Sequence, residues 1–133
     1  MAKLNNKYDN FSNAVNRLNE ANIAYKRNPE NDIYQDALIK RFEFTFELAW
    51  KTLREFLIDQ GYRLEIASPK NVIAFAYREG ILSNEELWLD MLAARNNTAH
   101  DYGRELSAQI ANDISNRYSK ELTALKKLIS DNI

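Results

Sequence analysis

The chain contains no cysteine, one histidine, three glycines and two prolines in 133 residues. Without cysteine there is no disulfide, no thiolate nucleophile and no Cys-ligated zinc. A single histidine rules out a His-rich metal site within one chain. So few glycines and prolines suit long helices with short connections. Runs of apolar residues long enough to span a bilayer are also missing, and Met1 to Lys7 shows no apolar signal core. The expectation is a cytoplasmic protein that does not enter a membrane. Neither sign of charge dominates, since 18 basic and 19 acidic residues leave a net charge of −1. That balance argues against a broad, charge-driven nucleic-acid binder, but it leaves room for a local cationic site such as Arg95 with Arg104. The length fits one domain, residues 1–133, with a true core, and the apolar fraction of 45% is ordinary for a soluble chain.

The apolar residues recur at helical spacing. Tyr8, Phe11, Val15, Leu18, Asn22 and Tyr25 follow a 3-4 pattern, which predicts an amphipathic helix stopped at Asn28-Pro29. A second helix starts at Asn31 or Asp32, runs to about Gln60 and ends at Gly61. Its core face carries Leu38, Phe42, Phe46, Ala49, Leu53 and Leu57. Phe44 and Leu48 lie roughly 200–240° away from Phe42 around the axis, so this helix is apolar on two sides and must bury both. Phe44 and Leu48 are therefore candidates for a subunit interface as well as for packing within the chain.

Ser68-Pro69 is an N-cap followed by the residue favoured at the first helical position. It opens a short helix from Lys70 to Glu79, ended by Gly80. Ser83 and Glu86 have the spacing of a capping box, which predicts a helix through Trp88 and Met91 into Arg95. After Gly103, Leu106, Ile110, Ile114, Tyr118, Leu122, Leu125 and Ile129 describe a final long helix. No β-alternation, repeat or linker interrupts this series. The fold class is all-α, an up-and-down bundle of about five helices.

The chemistry concentrates at Arg95-Asn96-Asn97-Thr98-Ala99-His100-Asp101-Tyr102. His100 is the only side chain whose ordinary pKa lets it exchange protons near neutral pH. Arg95 offers a planar cationic fork suited to phosphate. Five residues along an α-helix separate side chains by roughly 140°. Either the chain leaves the helix between Arg95 and His100, with Asn96-Asn97 and Gly103 as the places to do so, or each residue meets groups from another subunit. An isolated Arg-x4-His pair is more often the mark of a histidine that caps a helix or satisfies a buried hydrogen bond than of a catalyst. Tyrosines such as Tyr102 usually pack their ring and satisfy one hydroxyl hydrogen bond. Trp50 and Trp88 read as core or interface anchors rather than base-stacking platforms. Glu43 and Glu47 read as partners for Lys40, Lys51 or Arg54 rather than metal ligands.

With the helices in this order, the chain resembles the HEPN superfamily. More narrowly it is similar to the nucleotidyltransferase substrate-binding proteins, also described as HepT-like toxins. The resemblance covers nearly the whole sequence. It rests on the run from Lys40 to Lys51, on Ser68-Pro69-Lys70-Asn71-Val72-Ile73, on Gly80-Ile81-Leu82 and Trp88-Leu89-Asp90-Met91, and on Arg95 to Tyr102, which matches the pattern R-x4-H-x-Y. What it implies is a homodimer that brings two copies of the Arg/His motif towards a shared cleft. It also implies a metal-independent endoribonuclease that needs no cofactor, with Arg95 and His100 at the catalytic site, where the chemistry of RNA cleavage adds Asn96 as a further donor or as the residue that orients His100. A minimal nucleotidyltransferase encoded nearby would act as antitoxin and add AMP to Tyr102. The rival expectation is a non-catalytic subunit that presents substrate to a nucleotidyltransferase. A purely structural bundle would leave Arg95 to Tyr102 without a purpose.

Overall fold

The computed structural model describes residues 2–65, 67–98 and 103–133. Its elements are α1 (Ala2–Arg27), α2 (Asp32–Asp59), α3 (Pro69–Arg78), α4 (Glu85–Asn97), α5 (Arg104–Asp113), a π-helical turn (Ile114–Tyr118) and α6 (Ser119–Ser130). Since α5, the π turn and α6 run on without a break, the described residues form five helices and no strand, as the periodicity predicts. α1 begins earlier than its apolar pattern does, and buried Leu4 is the reason that turn belongs to it.

Local signals set most of the helix ends. Asn31 caps α2, its Oδ1 accepting from the Ile33 N–H at 2.9 Å, and Ser68 caps α3 through the Asn71 N–H at 3.3 Å. Both α2 and α3 terminate in Schellman turns. The N–H of Gly61 donates to the Ile58 carbonyl and that of Tyr62 to Leu57. Gly80 donates to Tyr77 and Ile81 to Ala76 in the same way. The two glycines have φ of 96° and 76°, the left-handed region that a side chain would strain. The capping box expected at Ser83 is not formed. Asn84 is the cap of α4, its Oδ1 accepting from the Leu87 N–H at 3.0 Å. Asn and Ser are near-equal caps, and a start one residue later leaves Glu85 and Glu86 in the first turn, where they favour the helix dipole.

The core face read from the sequence is the core. Leu38, Phe42, Phe46, Ala49, Leu53 and Leu57 of α2 are fully buried, packed with Phe11, Val15 and Leu18 of α1 and with Ile114, Leu122 and Ile129 of the last helix. α1 and α2 also lie close enough for hydroxyls to bridge their backbones. Thr45 Oγ1 donates at 2.6 Å to the Arg41 carbonyl in its own helix and lies 3.3 Å from the Ala14 carbonyl, while Thr52 Oγ1 reaches the Lys7 carbonyl at 3.3 Å.

The π turn explains an oddity of the last helix. Ile110, Ile114, Tyr118 and Leu122 are spaced by four throughout, which on an α-helix would rotate the apolar face by roughly 40° at every step. Between Ile114 and Tyr118 the helix widens, and the Ser119 N–H bonds to the Ile114 carbonyl five residues back. The extra residue is absorbed there, and all four side chains remain buried. Tyr118 stacks on Phe42 with ring centroids 5.5 Å apart. Burial, reinforced by Asp113, pushes its phenol up to about 12.

Trp88 ties α4 to this core. It is fully buried, its ring lies 6.1 Å from that of Phe46, and its indole N–H donates to Glu121 Oε2 of α6 at 2.8 Å. Replacing Trp88 by Ala is expected to cost about 3–5 kcal/mol of stability and to leave Glu121 without its donor. Urea denaturation monitored by circular dichroism measures the loss. A change below about 1 kcal/mol, within the range of ordinary surface substitutions, would show that α4 is anchored by other contacts.

Candidate functional site

The motif segment begins on the last turn of α4. Arg95 sits there with its guanidinium at the carboxyl end of the helix, where the dipole favours a cation. The helix ends at Asn97, and Thr98 closes it by donating its hydroxyl to the Arg95 carbonyl at 2.7 Å. The exit expected at Asn96-Asn97 is thus where α4 stops. Gly103 is the N-cap of α5 with φ −70° and ψ 169°, an extended backbone that asks nothing special of glycine. The freedom anticipated for that glycine is therefore not used. His100, Asp101 and Tyr102 lie outside the described residues.

Arg95 is held from below. Its Nε lies 3.8 Å from Glu47 Oε2 of α2, with 30% of its side chain exposed. That separation is an ion pair and too long for a hydrogen bond, and the buried Nε has no hydrogen-bond acceptor among the described residues. Glu47 therefore orients the guanidinium electrostatically and, among the described residues, leaves its fork uncommitted. Asn96, the next residue on α4, is exposed. Arg95 and Asn96 are the two candidate catalytic residues that fall within the described structure, and they sit side by side at the end of one helix.

The sequence assigned Glu43 and Glu47 to lysines of their own helix, and both contacts are present, Lys40–Glu43 and Lys51–Glu47 each at 3.7 Å. Missed was the longer-range partner of Glu47. No spacing rule links residues 47 and 95, and no local signal in the sequence marks the pair. Arg54, the third suggested partner, instead lies over the Trp50 ring, 5.7 Å from its centroid. Trp50 and Trp88 are both buried, as anchors should be.

Two further ties keep α4 in place besides Trp88. Asp90 accepts from Arg117 Nη2 at 3.1 Å, a contact that raises the arginine's pKa further, and Ala94 packs into the core. An open groove of about 290 Å³ runs beside the end of α4, between Asn97, Leu106 and Gln109. Among the described residues no group of His, Cys, Asp and Glu side chains is arranged to hold a metal ion, and no helix is long and apolar enough to cross a membrane.

The two interface candidates part company. Phe44 is 60% exposed, whereas Leu48 is half-buried and packs against the core. Phe44 rims a groove of about 230 Å³ lined by Arg17, Lys40 and Arg41. Phe44, Glu47, Leu48 and Lys51 follow i, i+3, i+4, i+7 spacing, so this apolar stripe borders the residues that hold Arg95.

The helical bundle is a fold shared with other proteins. The family described as nucleotidyltransferase substrate binding protein like matches residues 6–131. The chain belongs to this family, the HepT-like, HEPN-type group that its sequence resembles. A crystal structure of a Thermus thermophilus protein is similar at 32% identity, covering 91% of this chain and 96% of that one with a TM-score of 0.69. A toxin–antitoxin structure containing AMP-PNP shares the fold, with a TM-score of 0.76 over 99% of this chain and 100% of that one at 13% identity. No curated protein matches the chain.

Proposed function

We propose that the protein is a metal-independent endoribonuclease toxin, controlled by adenylylation by a partner nucleotidyltransferase. One observation carries this reading: Arg95, ion-paired through Nε to Glu47 yet without a hydrogen-bond acceptor there, stands at the end of α4, five residues before the only histidine. RNA supplies its own nucleophile in the 2′-OH beside the scissile phosphate. The enzyme must then provide a base for that proton, an acid for the leaving 5′-oxygen, and a cation for the charge that develops on phosphorus. In this reading Arg95 binds the non-bridging oxygens through two parallel hydrogen bonds. His100 exchanges the protons, and Asn96 adds a donor or orients the histidine. The products are a 2′,3′-cyclic phosphate and a 5′-OH.

A single histidine per chain cannot easily be base and acid at once, which is the argument for a homodimer with two histidines in one cleft. The stripe of Phe44 and Leu48 runs beside Glu47, so a symmetric contact there would bring two Arg95 sites towards each other. Replacing both Phe44 and Leu48 by Glu puts unpaired charges into that contact. Sedimentation velocity is expected to show monomers for the double variant and dimers for the parent. A folded double variant that remains dimeric would place the interface elsewhere.

The family description favours a second reading, in which the chain presents substrate to a nucleotidyltransferase and catalyses nothing itself. A cleavage assay on the purified protein separates the two. In the first reading His100→Ala abolishes RNA cleavage without unfolding the chain. Arg95→Lys loses most of the activity, because a point charge does not replace a bidentate fork. Full activity in His100→Ala would eliminate the mechanism. Inactivity of the parent on many RNAs, with intact nucleotidyltransferase binding, would favour the second reading.

Regulation follows from the position of Tyr102, two residues past His100. An AMP on its phenol would bring a phosphate within reach of the Arg95 fork and an adenosine across the entrance, blocking RNA without a change of fold. Incubation with ATP and the cognate nucleotidyltransferase is expected to add roughly 329 Da per AMP, a covalent charge-changing modification, to the peptide containing Tyr102. Tyr102→Phe should take no label and stay active. Undiminished labelling of the Phe variant would put the acceptor at another residue.

A further inference from the structure

The contacts around Arg95 continue along α2 as a ridge. Glu47, Trp50, Lys51 and Arg54 are spaced i, i+3, i+4, i+7, so they occupy one stripe of that helix. Their separations join them in sequence: Arg95 to Glu47 at 3.8 Å, Glu47 to Lys51 at 3.7 Å, and the Lys51 ammonium and Arg54 guanidinium 5.9 and 5.7 Å from the centroid of the Trp50 ring. Three cations accompany one carboxylate. In a chain of net charge −1 this is a local excess of positive charge beside the motif.

Arg54 differs from the other arginines of α2 and its surroundings. Arg41 contacts Glu20 and the Arg17 carbonyl, and Arg117 contacts Asp90 and Asp113. Arg54 pairs with no carboxylate among the described residues, and its contact is the face of a tryptophan that is only 7% exposed. A buried indole is a fixed support. It holds the guanidinium by cation–π attraction while leaving the N–H donors free, so less side-chain entropy is lost when an anion arrives. An electropositive strip with one guanidinium resting on a rigid aromatic support has the chemistry of a phosphate contact.

The geometry points to Arg54 as a second phosphate-binding residue of the site, gripping the backbone of a single-stranded RNA whose scissile phosphate lies at Arg95. This inference rests on the ribonuclease reading. It adds a direction: the strand leaves Arg95 along α2 towards its carboxyl end. Glu47 and Arg54 are about 10 Å apart along the helix axis, so one side chain cannot serve both phosphates. Lys51, paired with Glu47, lies between them.

Salt dependence of binding tests the assignment, because each phosphate contact to a single strand contributes about −0.7 to the slope of log K against log salt. The probe is a short fluorescein-labelled oligodeoxythymidylate, which lacks the 2′-OH and cannot be cleaved. Arg54→Gln is expected to make the slope shallower by about 0.7 and to weaken binding several-fold at low salt. Arg54→Lys should keep the slope. Lys126→Gln, which removes a charge that contacts Asn16 on α1, should leave both quantities unchanged. Thermal melts establish that each variant is folded. An unchanged slope in Arg54→Gln, an equal change in Lys126→Gln, or no binding by the parent would overturn the assignment. A parent that cleaves RNA while Arg54→Gln keeps its slope refutes only the second contact. A parent that binds through Arg54 but cleaves no RNA refutes the catalytic reading and leaves the phosphate contact standing.

Discussion

The burial of Trp88 against Phe46 is the contact on which the position of the site depends. α4 is short, and Trp88 is the largest of its buried side chains. Short isolated helices are marginal in water, so α4 owes its stability to this packing rather than to propensity. Its indole N–H on Glu121 fixes the rotation of α4 about its own axis, and the Asp90–Arg117 contact supports the same orientation. Seven residues after Trp88, almost two turns on, that orientation delivers Arg95 to Glu47. A different rotation of α4 would leave Arg95 in solvent and Glu47 with only Lys51.

α2 serves two purposes that its sequence keeps apart by angle. One face supplies the aromatic and aliphatic core, from Leu38 to Leu57. The neighbouring stripe supplies Glu47, Lys51 and Arg54, with Trp50 between the two, buried against the core while its ring carries the cations. The rigidity of the core is thus passed to charged groups at the surface. Exposed long side chains ordinarily lose entropy when they are ordered, which is why surface ion pairs contribute little to stability. In the proposed phosphate contact, that ordering serves ligand capture rather than stability.

The helices were legible in the sequence because their signals are local. Asn31, Ser68, Gly61 and Gly80 act on the backbone within a few residues, and the apolar periods of α1, α2 and the last helix report burial directly. Where signals competed, the reading slipped. Ser83 and Asn84 are both good caps, and tertiary placement of α4 chose the second. Phe44 and Leu48 looked equivalent, yet Leu48 turns far enough towards the core to pack on it while Phe44 does not. The four-residue spacing from Ile110 to Leu122 held the signal for the π turn, since no regular α-helix keeps such a series on one face.

By itself the sequence determined an all-helical chain and the face that each long helix buries, and it singled out the candidate segment from Arg95 to Tyr102, because periodicity, caps and residue types are properties of neighbours along the chain. Tertiary structure alone decided that Glu47 meets Arg95, that Arg54 rests on Trp50 rather than on a carboxylate, and that Trp88 sets the rotation of α4. Those are contacts between different helices, or choices between neighbours that only burial can make. The partners that join different helices are selected by the angle at which the helices pack, and no local spacing encodes that angle.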